Sequence, residues 1–132
     1  MTATTTTTLK DKVLTDINEY IAKYEARLED LSLYFKEFPL MFVKSYSEEC
    51  YTINTDLRKL KSIKDLVEDC DSDEEVIDYI KDLKEQYTEN LLRATLMESS
   101  TNPMVCLTSV WENESLQRLV RVFDNFSWKY RF

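Results

Sequence analysis

The chain has no glycine, no histidine and only two prolines in 132 residues. An average chain of this length carries about nine glycines. Glycine is the usual residue at positive φ, so tight primed hairpins and glycine-capped helix ends are scarce without it. This argues against a sandwich or barrel and for helices joined by simple turns. Phosphate-cradling loops of the P-loop and dinucleotide-binding kinds need several glycines and are excluded. Ser-His-Asp and Cys-His catalysis both need an imidazole. Cys50, Cys70 and Cys106 are widely spaced and form no CxxC pair, so they supply no zinc set. The expectation is a protein that is not an enzyme, with no cofactor, no metal and no small-molecule substrate.

Long apolar runs and a leader are also missing. MTATTTTT carries neither a basic nor an apolar stretch. No apolar run is longer than four residues, and LMFV at 40–43 is far too short for a membrane span. An odd number of cysteines without a leader points to a reducing intracellular compartment, cytoplasmic or nuclear. The N-x-S sequons at Asn113 and Asn125 then go unused.

Positive charge is in short supply as well. The formal net charge is −8, and it is unevenly spread. Residues 65–89 hold eleven acids against Lys81 and Lys84, a local net of −9 that leaves the remainder near +1. Nucleic-acid binding is disfavoured by that balance. The compact basic group Arg58, Lys59, Lys61 and Lys64 reads as a solvated helix face beside nearby acids.

What the sequence does have is helical periodicity. Over 9–38, Leu14, Ile17, Ile21, Tyr24, Leu28, Leu31, Phe35 and Phe38 occupy successive a and d positions of four heptads. The flanks do not suit a two-stranded zipper, because Tyr20 and Tyr34 stand where charges usually set pairing. That wide stripe predicts a bundle wall touching at least two helices. Pro39 breaks the run and suits the first turn of a second helix over about 40–70. Its inward residues are Val43, Tyr46, Cys50, Ile53, Leu57, Leu60 and Val67, with Ile63 and Leu66 nearby.

EDCDSDEE at 68–75 is a helix boundary, with Ser72-x-x-Glu75 as a capping box. Asp69, Asp71 and Asp73 imitate the start of a calcium loop. Glu74 stands where that loop needs glycine and Ile80 where it needs glutamate, so calcium is rejected. Ser72 followed by three acids also resembles an acidophilic kinase site of the casein kinase 2 type, which makes it the candidate regulatory phosphorylation site. A third helix is predicted over 73–98, with Val76, Ile77, Ile80, Leu83, Tyr87, Leu91, Leu92 and Leu96 inward. SSTNP at 99–103 is a turn, with Asn102 and Pro103 placed to start another helix.

Two conformations compete beyond this turn. MVCLTSVW at 104–111 is β-branched enough for a strand, whereas Leu116, Leu119, Val120, Phe123 and Phe126 return to helical spacing. FSWKYRF at 126–132 alternates aromatic and polar residues, as a strand or an extended tail does. The expected architecture is an all-α antiparallel bundle of about four long helices, about 9–38, 40–70, 73–98 and 104–126. It forms one domain over 9–132, with a strand-like C-terminal segment as a variant. A Thr-rich disordered tail, 1–8, precedes it.

The functional expectation is a non-catalytic adaptor or scaffold subunit of an intracellular complex. It would present apolar and aromatic helix faces to a helical partner or to a second copy of itself, with the acidic segment steering encounters. Contact is expected through Phe126, Trp128, Tyr130 and Phe132, which either dock on the chain's own bundle or anchor the partner. Tyr20 and Tyr34 on the flank of the first helix are next. The alternative is a stand-alone module whose inter-helix groove takes an amphipathic peptide helix, as anti-apoptotic and viral bundle proteins do.

Overall fold

A computed structural model describes residues 8–97 and 102–132. Four helices follow one another: α1 (Leu9–Glu37), α2 (Pro39–Glu68), α3 (Asp73–Met97) and α4 (Pro103–Tyr130). Residues 1–7 of the Thr-rich tail lie outside the described residues. Thr8, placed in that tail, instead caps α1 by accepting the Asp11 N–H.

The starts and stops follow from local chemistry. Phe38 alone separates α1 from α2. Its φ of −134° and ψ of 67° are non-helical, as the residue before a proline prefers, and Pro39 opens α2. Ser72 caps α3 by accepting the Glu75 N–H at 3.2 Å. The Glu75 carboxylate reaches back to the Asp71 N–H at 2.9 Å, a capping box displaced by one residue. Asn102 accepts the Met104 N–H at 3.0 Å and so begins α4.

Side-chain pairs fix the packing. Arg27 meets Glu49 at 2.5 Å and Lys61 meets Glu25 at 3.1 Å, so α1 and α2 form an antiparallel hairpin. Lys84 pairs with Asp124, and the Tyr87 and Phe123 rings lie 5.4 Å apart, so α3 and α4 form a second. Tyr51 against Trp111, with centroids 5.1 Å apart, sets α2 beside α4 running the same way. The α1–α2 turn and the start of α4 therefore share one end of the bundle, the apical end. The α2–α3 turn and the end of α4 share the basal end.

The core runs through all four helices, with Ile17, Leu60, Val76, Ile80, Leu119 and Phe123 among its most buried residues. A smaller cluster of Leu31, Phe42 and Ile53 lies between α1 and α2 alone.

Several expectations are corrected. Neither 104–111 nor 126–132 is extended; both are helical up to Tyr130. Burial of Leu116, Leu119, Val122, Phe123 and Phe126 at helical spacing outweighs the β-propensity of single residues. The alternation at the end arose because Phe126 and Tyr130, at i and i+4, fell in a period-two pattern by coincidence. Val122, rather than Val120, is buried. Leu66, Phe35, Phe38 and Val43 are exposed although each fell on an inward stripe. The side chains of Leu92, Leu96 and Cys106 lie outside the described residues.

Candidate functional site

The last turns of α4 carry most of the expected contact residues, and the structure separates them. Phe126 is buried, and Tyr130 and Phe132 pack half-buried against the main core. Phe126 is therefore not available to a partner, because its ring fills the junction of α1 and α4. Trp128 lies two residues on, about 200° round the helix, and points away. It is 86% exposed.

Beside Trp128 is a cleft of about 340 Å³ between α1 and α4. Tyr20 and Phe126 form its apolar floor, and Asp16, Glu19, Lys23, Asn125 and Lys129 its polar sides. Asp16 clamps the two helices. It accepts from the Lys129 ammonium at 3.0 Å and from the Tyr130 hydroxyl. The bond to Asp16 holds the Lys129 pKa above its usual value, and burial followed by that same bond raises Tyr130. Lys129 thus pairs with Asp16 rather than with the acidic 65–75 segment. Asp73 of that segment lines a second cleft with Lys129, Tyr130 and Arg131.

Tyr20 belongs to this basal site, but Tyr34 does not. Fourteen residues separate them, about 21 Å along α1. Tyr34 joins an apical aromatic cluster, with its ring 5.4 Å from Phe38 and 5.1 Å from Tyr46, while Phe35 lies 5.2 Å from Phe42. Ser72 is exposed at the basal turn with its hydroxyl engaged as the α3 cap.

Two features escaped the sequence reading. The first is a buried polar cluster at mid-height. The Asp56 carboxylate, 1% exposed, accepts from Tyr24 at 3.0 Å, from Ser115, and from both arms of Arg118 at 2.8 and 3.2 Å. Burial, and then the Asp56 charge, push the Tyr24 phenol up to about 12. Four donors on one carboxylate suit a structural tie better than proton transfer. The signal was there, since Asp56 sits three residues after Ile53 and four before Leu60 on the inward stripe.

The second feature is the apical end itself. Among the described residues eleven large hydrophobic side chains are exposed, and eight of them are apical: Leu33, Phe35, Phe38, Leu40, Met41, Val43, Met104 and Leu107. The run LMFV, too short to span a membrane, supplies three of these: Leu40, Met41 and Val43.

Cys70 is a poor candidate nucleophile. Burial, and then the Glu75 charge, raise its pKa, and its thiol donates to the Leu66 carbonyl at 3.3 Å. Among the described residues no three His, Cys, Asp or Glu side chains are grouped as a metal site, and no helix is long and apolar enough to cross a membrane. In comparisons with known proteins, no family model, curated protein or solved structure matched this chain.

Proposed function

We propose that the chain is a non-catalytic helical adaptor that holds a partner protein by helix–helix contact at the basal α1–α4 face. The observation that carries this reading is Trp128, 86% exposed beside a cleft, on a helix whose neighbouring aromatics are anchored inside. Left in water, that indole is an apolar surface with no use to the fold. Tryptophan buries a large area with few rotors to freeze, which makes it a favoured interface anchor. Glu19, Lys23 and Lys129 give the surrounding polar rim. The acidic 65–89 segment, running from the same end, steers basic partners toward the site.

A reducing compartment inside the cell fits this reading. Cys50 and Cys70 are both free and stand about 30 Å apart along α2 and its end, too far to bridge. Ser72 beside the basal site gives a regulatory kinase an exposed hydroxyl among acids.

The test is site-specific photocrosslinking in the source cells, with the crosslinker at exposed Asn125 on the side of the cleft and, as control, at exposed Asp82. An adduct formed at 125, absent at 82 and competed by unlabelled wild-type chain but not by a Trp128→Ala chain, is expected. A homomeric adduct means that the partner is a second copy. Equal labelling at both positions removes the reading.

A further inference from the structure

We draw no further inference here: the strongest candidate, the exposed apolar tip of the α1–α2 hairpin round Leu40, Met41 and Val43, carries charges of both signs in exposed Lys36 and Glu37, and nothing in the structure shows what covers it.

Discussion

At the residue scale, Asp56 decides how the two hairpins meet. It is contributed by α2 and held by Tyr24 from α1 and by Ser115 and Arg118 from α4. A carboxylate moved out of water costs several kcal/mol unless its lone pairs are met. Here donors from two other helices meet them at one height only. Sliding α4 by one turn, about 5.4 Å, would strand the charge, so the cluster fixes vertical register where the surrounding aliphatic core tolerates slippage. Asp56→Ala should destabilise the fold by about 3 kcal/mol, the low end for a broken buried pair, because Arg118 keeps some access to water. Urea unfolding measures this. Replacing Asp56, Ser115 and Arg118 together with apolar residues of similar size should cost far less than the single change. If the single change is equally mild, the cluster is not what holds the register.

At the element scale, a chain without glycine must end its helices by other means. α2 has no basic residue in its last turn. Its carbonyls are met from α1 instead: the Lys10 ammonium donates to Glu68 O at 2.7 Å and to Cys70 O at 2.8 Å, and the Lys10 N–H donates to Asp73 at 3.2 Å. At the end of α4, Arg131 adopts the left-handed conformation, φ 60°, in which glycine usually stands, and the Phe132 N–H reaches Ser127 O at 3.0 Å. Lys10→Met keeps the aliphatic stem but removes the donors. It should cost about 1 kcal/mol and loosen amide protection at the α2–α3 turn first, as hydrogen exchange would show. Protection lost uniformly along the chain would contradict a local cap. Such long-range caps mark the limit of what the sequence showed. Helix type in α1 to α3, the Pro39 break, the Ser72 and Asn102 caps and most core positions follow from neighbours within a turn or two, and they were legible. Lys10 meets Cys70 across sixty residues, and the exposure of Phe35, Phe38 and Val43 depends on where the second hairpin stops covering the first. Periodicity reports that a residue is apolar, not whether anything lies opposite it.

At the scale of the whole molecule, the composition that shaped the fold also sets its response to pH. Without histidine, no side chain of ordinary pKa titrates between about pH 5 and 8, so stability should be level there. The shifted groups lie on the alkaline side. Tyr24 and Tyr79 are pushed up to about 12, chiefly by burial, and Tyr87 and Tyr130 are raised in the same sense. Each phenol keeps its proton more tightly folded than unfolded. Below about pH 10 both states hold the proton and the stabilisation is whole. Above it the unfolded chain releases protons that the folded chain retains, so unfolding is favoured progressively until Tyr24 and Tyr79 ionise in the folded state near pH 12. The Cys70 thiol, also raised, acts in the same direction. The urea midpoint should therefore stay constant from about pH 6 to 8, begin to fall as the Cys70 thiol titrates in the unfolded chain, and fall most steeply from about pH 10. A Tyr24→Phe, Tyr79→Phe chain should start lower, having lost the bond to Asp56, but fall less steeply. The slope is the informative quantity, since the lost hydrogen bond shifts the whole curve and only the lost titration changes its inclination. A slope unaltered by the two substitutions would place the alkaline transition elsewhere, in Lys129 losing its partner Asp16 rather than in the buried phenols.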